Sequence, residues 1–253
     1  VLKRYPDAKL LFCIDGECTK KEINEDYKAQ REKKDEIRVD VNDIVGVLSN
    51  LPNVYFSRSD KHEADDLIAN VAYSYKDKVD NIIIYSGDKD FWQLANDFQV
   101  SNEYDKGFNT VDDNLVFSKF EVSIKELLAF RILDGDKSDN LKPPVPRVRK
   151  EFKKEIADKW YSDLTVNNFI EIMYGYKDTK NWVNAEKYLE AVNKVEENLY
   201  MMDLTKYKEE EDRFKFNFFK CNNPDKFLLQ KYELRAFEVF VYDYFKKEKN
   251  IIA

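Results

Sequence analysis

Two short apolar runs, each ending in an acid, constrain this chain more than any other feature. Leu10-Leu11-Phe12-Cys13-Ile14 runs into Asp15-Gly16, and Asn81 to Tyr85 runs into Ser86-Gly87-Asp88. An unbroken apolar run of that length reads as a buried strand of a parallel sheet. Between them, His62 to Tyr75 sets Ala64, Leu67, Ile68, Val71 and Ala72 at helical spacing. Alternation of strand and helix predicts an α/β fold, with a mostly parallel central sheet flanked by helices. Ligands of such sheets bind at the carboxyl ends of the strands, where Asp15 and Asp88 fall.

The remaining pattern fills in around this frame. Val54-Tyr55-Phe56 reads as a strand, and Val100 and Val111 to Phe117 as further short strands. Lys20 to Lys34 is highly charged with little apolar face, which suits a helix that works on a ligand. Val41 to Leu51 has helical spacing, and Phe91 to Leu94 starts another helix. From Ile124 the character turns mostly helical, with Arg147 to Trp160, Val166 to Met173, Trp182 to Leu199 and Phe227 to Lys247 as helices. Lys215 to Lys220 reads as strand or extended chain. The Pro-rich break at Lys142 to Pro146 divides residues 1–140, a core with a helical arch at about 19–50, from a helical region at 141–253.

Composition narrows the chemistry. With 43% hydrophobic residues and only 6 Gly and 6 Pro, the chain can bury a sizeable core and is not low-complexity. The net charge of −7 argues against general nucleic-acid binding, unless clustered acids hold divalent metal. Cys13, Cys18 and Cys221 lack zinc-type spacing and suggest free thiols in a reducing compartment. No apolar run approaches the roughly 20 residues of a membrane span, and no secretory signal opens the chain. The expectation is a cytoplasmic, monomeric protein away from membranes. His62 is the single histidine, so catalysis must rest on carboxylates, cations and a bound ion.

Four segments carry acids: Ile14-Asp15-Gly16, Glu63-Ala64-Asp65-Asp66, Ser86-Gly87-Asp88-Lys89-Asp90 and Gly135-Asp136-Lys137-Ser138-Asp139-Asn140. On a helix Glu63 and Asp66 share a face, and Asp65 can join them near the first turn, where the dipole favours anions. Magnesium takes oxygen ligands, one or two carboxylates per ion plus phosphate. Two ions roughly 3.5–4 Å apart require many carboxylates in one pocket. Each segment alone is more often a solvated cap or surface turn. The four in this order are harder to dismiss.

Their order resembles the 5′-nucleases: flap endonucleases, the 5′-nuclease domain of bacterial DNA polymerase I and phage 5′→3′ exonucleases. The resemblance runs from about Leu10 to Asn140, and Tyr27-Lys28-Ala29-Gln30-Arg31 matches the family's Tyr-Lys-x-x-Arg helix. The region Asn198-Leu199 to Asp203-Leu204 and the Gly-poor, Lys- and Tyr-rich composition look nearest to phage enzymes of the ribonuclease H type. The resemblance implies a PIN-like core and phosphodiester hydrolysis near 5′ ends or flaps of DNA or RNA–DNA, in replication or primer removal. It implies two Mg2+ ions, with Mn2+ able to substitute. Asp15, Glu63, Asp65, Asp66 and Asp88 would gather around the first ion, and Asp90, Asp136 and Asp139 around the second. Lys28 and Arg31 would reach the scissile phosphate and Tyr27 would stack on the neighbouring base. Single-strand-binding or clamp proteins of a replication complex are the partners it suggests, in a host cytoplasm if the gene is phage-borne.

Two departures stand out. The family opens with a further Asp-ended strand ahead of the one carrying Asp15, and the sequence from Val1 holds none. After Asn140 the family continues with a Gly-rich helix–turn–helix, often with a potassium ion. Here Leu141 to Lys150 has no Gly-x-Gly, and Arg147, Arg149, Lys150, Lys153 and Lys154 are left to grip phosphates electrostatically. A degenerate fold that binds branched DNA or a replication complex without cutting is the rival reading. A PIN-like ribonuclease acting on single-stranded RNA is a more distant one.

Overall fold

The structure is a computed structural model, and it describes residues 7–16, 19–29, 48, 53–102 and 109–219. The expected helices over Val41 to Leu51 and Phe227 to Lys247, and Arg31, lie outside the described residues. The chain divides into two compact units. One comprises Val1–Glu17, Lys33–Leu67 and Lys215–Ala253, the other Cys18–Glu32 and Ile68–Phe214.

The first unit is built on a three-stranded sheet in the order β1-β2-β6. β1 (Leu10–Ile14) pairs in parallel with β2 (Val54–Arg58), Phe12 opposite Phe56. β6 (Phe218–Phe219) runs antiparallel on the far side of β2. Val54, Phe56 and Ser57 are buried, so β2, with a neighbour on each side, is the better-covered strand. β1 is half-buried, and its Phe12 ring stacks on Phe56 at 5.5 Å. Ser57 Oγ donates to the Asn217 carbonyl at 3.0 Å, tying the β6 approach to the middle strand.

The second unit carries its own sheet, in the order β3-β4-β5. β3 (Ile83–Tyr85) and β4 (Gln99–Asn102) are parallel, and β5 (Asn109–Thr110) is antiparallel to β4. The fold is therefore mixed α/β. Each sheet holds a parallel pair, as the apolar runs predict, and adds one short antiparallel strand.

Helices supply most of the second unit: α1 (Lys20–Ile23), α3 (Asp113–Phe120), α4 (Ile124–Asp134), α5 (Lys150–Trp160), α6 (Val166–Tyr174), α7 (Trp182–Glu190) and α8 (Val192–Met202). α2 (Ala64–Tyr75) starts in the first unit and ends in this one. α4 is nearly all apolar, with Leu127, Leu128, Phe130, Ile132 and Leu133 buried, and it packs against α5, α8 and the 3-10 turn Lys89–Leu94. A Ser123–Glu126 capping box starts it. Trp160, Phe169 and Tyr188 form an aromatic cluster beyond it, with rings 4.7 and 5.9 Å apart.

Two elements differ from expectation. Val111 to Phe117, read as a strand, is mostly helix, because the Asp112 carboxylate accepts from the Leu115 N–H and caps α3. Trp182 to Leu199, read as one helix, is two, separated at Ala191.

Candidate nuclease site

Acids are found in both units. In the first unit, the chain leaves β1 at Asp15, whose Oδ1 accepts the Ala64 N–H at 2.7 Å and caps α2. The Gly16 N–H donates to the His62 carbonyl at 3.1 Å. A Cβ on Gly16 would lie 1.7 Å from the Ser59 carbonyl oxygen, so only glycine permits this approach. One short segment thus sets Asp15 against Glu63, Asp65 and Asp66 at the start of α2. Glu63 and Asp66 are buried. The Cys13 thiol on β1 is pushed up to about 12, first by burial and then by the charge of Asp65.

In the second unit, β3 leads to Asp88, whose Oδ1 accepts the Asp90 N–H at 2.9 Å and caps the 3-10 turn. Asp90 and Asp136 share one guanidinium: Arg131 donates through Nη1 to Asp90 Oδ1 and through Nη2 to Asp136 Oδ2. Asp136 Oδ1 accepts from the Ser138 N–H at 2.7 Å and from its hydroxyl at 2.5 Å. Burial holds the Asp90 carboxyl above its ordinary value; Arg131 opposes the rise, and the charges of Asp88 and Asp136 add to it. Burial also acts on Asp136, but the Ser138 donors and Arg131 outweigh it and hold that carboxyl low.

The Gly135–Leu141 loop is closed by backbone bonds. Asp136 and Leu141 exchange N–H donations to each other's carbonyls at 2.8 and 2.7 Å. Gly135, at φ +75°, allows the turn, since a Cβ there would meet the Leu141 oxygen at 2.5 Å. On the loop's other side sits the Tyr27-Lys28 segment. Lys28 N–H donates to the Asp139 carbonyl at 3.0 Å, Tyr27 Oη donates to Asp139 Oδ2 at 3.2 Å, and Lys28 Nζ lies 3.9 Å from the same oxygen. Asn140 Nδ2 donates to the Asp26 carbonyl at 2.9 Å. The two sequence motifs are docked on each other.

Three expectations need correction here. Tyr27, expected to offer its ring to a base, is 2% exposed and belongs to the core. Residues Asp26 to Ala29 form turns and not a continued helix, with Lys28 at φ +55°. Lys153, expected to grip phosphate, is buried, and its ammonium donates to Asp134 at 2.8 Å. Lys150 and Lys154 both engage Glu121, whereas Arg147 and Arg149 are exposed. Arg147 takes φ +62° where a glycine would be at ease.

Sequence reasoning passed over three organisers. Arg131 was detectable as the lone charge in the run Leu127 to Leu133. Buried Gln93 donates to the Met202 carbonyl and accepts from the Leu204 N–H, both at 3.0 Å. Buried Asn198 donates to the carbonyls of Ile132 and Lys142, also at 3.0 Å, joining α8 to both ends of the acidic loop.

Residues 1–121 match the family model described as 5′-3′ exonuclease, N-terminal resolvase-like domain. The 5′-3′ exonuclease of Mycoplasmopsis pulmonis is 28% identical over 134 residues, covering 53% of this chain and 44% of that protein. The 5′-3′ exonuclease of Aquifex aeolicus is 28% identical over 184 residues, covering 70% and 57%. The chain thus spans about half the length of these curated relatives. A solved complex of the bacteriophage T5 flap endonuclease with DNA and metal ions superposes with a TM-score of 0.62 at 15% identity, covering 82% of this chain and 78% of that one. That likeness is one of fold, a PIN-like mixed α/β domain. Residues 1–121 are thus similar to the N-terminal domain of the 5′-nucleases.

Proposed function

We propose that this chain hydrolyses phosphodiesters near the 5′ ends or flaps of DNA or RNA–DNA, as a 5′→3′ exonuclease or flap endonuclease dependent on divalent metal. The observation that carries the reading is the grouping of carboxylates directly after β1 and β3, at helix starts, in a chain matched by a 5′-3′ exonuclease model. The donor set suits hard cations: it is all oxygen, while the Cys13 thiol stays protonated. Asp15, Glu63, Asp65, Asp66, Asp88, Asp90, Asp136 and Asp139 would hold Mg2+, or Mn2+ in its place. Bound there, two such ions would lower the pKa of the attacking water and stabilise the leaving oxygen.

The chain's own cations do the rest of the work in this reading. Lys28 lies beside Asp139 and would hold the scissile phosphate together with Arg31. Arg147 and Arg149, exposed ahead of α5, would meet duplex phosphates. The role in replication or primer removal, the clamp and single-strand-binding partners, the monomeric state and the cytoplasmic setting belong to the same proposal. Among the described residues no helix is long and apolar enough to cross a membrane.

Cleavage of a 5′-labelled flap tests it. The parent should cut with Mg2+ or Mn2+ and not in EDTA. Asp88→Asn and Asp139→Asn should each slow single-turnover cleavage by about a hundredfold or more at saturating enzyme, where a change in flap affinity does not enter. Cutting at the parent rate by both variants would remove these acids from the mechanism. Tight flap binding without cleavage under any divalent ion would make the chain a binding module instead.

A further inference from the structure

Arg131 is the one charged side chain in the run Leu127 to Leu133, and it is 13% exposed. Its two donors reach carboxylates from two different places in the chain. Asp90 belongs to the 3-10 turn after β3, and Asp136 to the loop after α4. Leu127, Leu128 and Met202 line one crevice with Arg131, Asp90, Gln93 and Lys89, and Arg131, not Lys89, is the cation bonded to Asp90; the apolar side chains weaken the screening of that pair by water. Two carboxylates brought this close in such surroundings repel unless a cation lies between them. A planar guanidinium can serve both at once; a lysine ammonium is a point charge without that fork.

We propose that Arg131 is the resident counter-cation of this acidic group: it holds Asp90 and Asp136 in register before any metal ion arrives. The inference rests on the metal-ion reading given above, and makes Arg131 a positioning residue for it. Metal then enters a group already assembled. The fixed points around Arg131 support this. Ser138 occupies the second oxygen of Asp136 with two donors, and Asp88 holds the backbone of Asp90, so the arginine joins two elements each fixed from its other side.

Thermal melting of the whole chain in EDTA and in saturating Mn2+ tests the proposal, with Arg131→Met, Arg131→Lys, Asp136→Asn and the Arg131→Met/Asp136→Asn pair. In EDTA, Arg131→Met should melt roughly 5 °C or more below the parent, because an uncompensated charge remains. Adding Asp136→Asn should restore at least half of that loss, since the amide oxygen still serves Ser138 while the charge is gone. Mn2+ should raise the melting point of Arg131→Met more than that of the parent, as the ion takes over the arginine's charge. Arg131→Lys should fall between the two. An Arg131→Met protein as stable as the parent in EDTA overturns the proposal, and so does a double variant no better than the single one. If Arg131→Met does not fold in EDTA, the same comparison with Arg131→Lys decides. A parent without any Mn2+ shift would count against metal ions at this group, while the EDTA comparison would still decide the role of Arg131.

Discussion

Cys13 shows how a single side chain reports on its surroundings. It sits on β1 one residue from the Ile14–Asp15 step, half-buried, and its thiol is pushed from 9.0 to about 12 by burial and then by Asp65. Only the thiolate is nucleophilic. At pH 8 iodoacetamide should therefore modify Cys13 in the folded protein at least about a hundredfold more slowly than in urea, read by peptide mass mapping. Equal rates in the two states would mean that β1 is not covered as described. Because the folded thiol ionises later than the unfolded one, its contribution to stability is complete below a pH of about 9 and disappears as the pH climbs toward 12. At this scale the placement of acids after the apolar strands was legible, although Asp15 and Asp88 also cap the elements that follow them. The burial of Tyr27 was not. An aromatic residue in a charged segment looks exposed until its hydroxyl is seen donating to Asp139, far along the chain.

At the scale of elements, strands and capped helices read well where local signals agreed. The parallel pair β1–β2 and the helix after Ser123 are such cases. The α3 region misled because Val111, Val116 and Phe117 suit a strand, and one Asp112 cap overrides that propensity. The turn ahead of α5 was harder still: Arg147 adopts a left-handed conformation without glycine, so no residue type announced it. The basic run around this turn separates into two kinds. Lys153→Ala should lower the melting temperature through the loss of its buried stem and its pairing with Asp134, and leave the salt dependence of DNA binding unchanged. Arg147→Ala and Arg149→Ala should each reduce the slope of log affinity against log salt by roughly 1. The opposite pattern in a salt titration would return Lys153 to the interface. Gly135 gives a sharper test of the acidic loop. Its φ is +75°, and an alanine methyl there would lie 2.5 Å from the Leu141 oxygen. Gly135→Ala should therefore cost about 2–3 kcal/mol in denaturant unfolding.

For the molecule as a whole, net charge and proposed substrate pull in opposite directions. A chain at −7 repels a polyanion at long range, and its acids are concentrated beside the residues proposed to meet phosphate. Exposed Arg147 and Arg149 are too few to reverse that field. Each divalent ion that the carboxylates are proposed to hold would add two positive charges where the repulsion is strongest, so metal should govern binding as well as cleavage. Ca2+ separates the two effects, because it accepts carboxylate oxygens but with longer bonds and looser geometry than Mg2+. In fluorescence anisotropy, a 5′-flap duplex should bind at least about tenfold more tightly in Ca2+ than in EDTA, equivalent to ~1.4 kcal/mol. Asp88→Asn should narrow that gap by removing one carboxylate from the set that holds the ions. Arg131→Met should leave the EDTA affinity no better than the parent's, since it makes the acidic group more negative still. Equal affinity in Ca2+ and EDTA would mean that the acids do not face bound DNA, and that the proposed substrate contacts lie elsewhere.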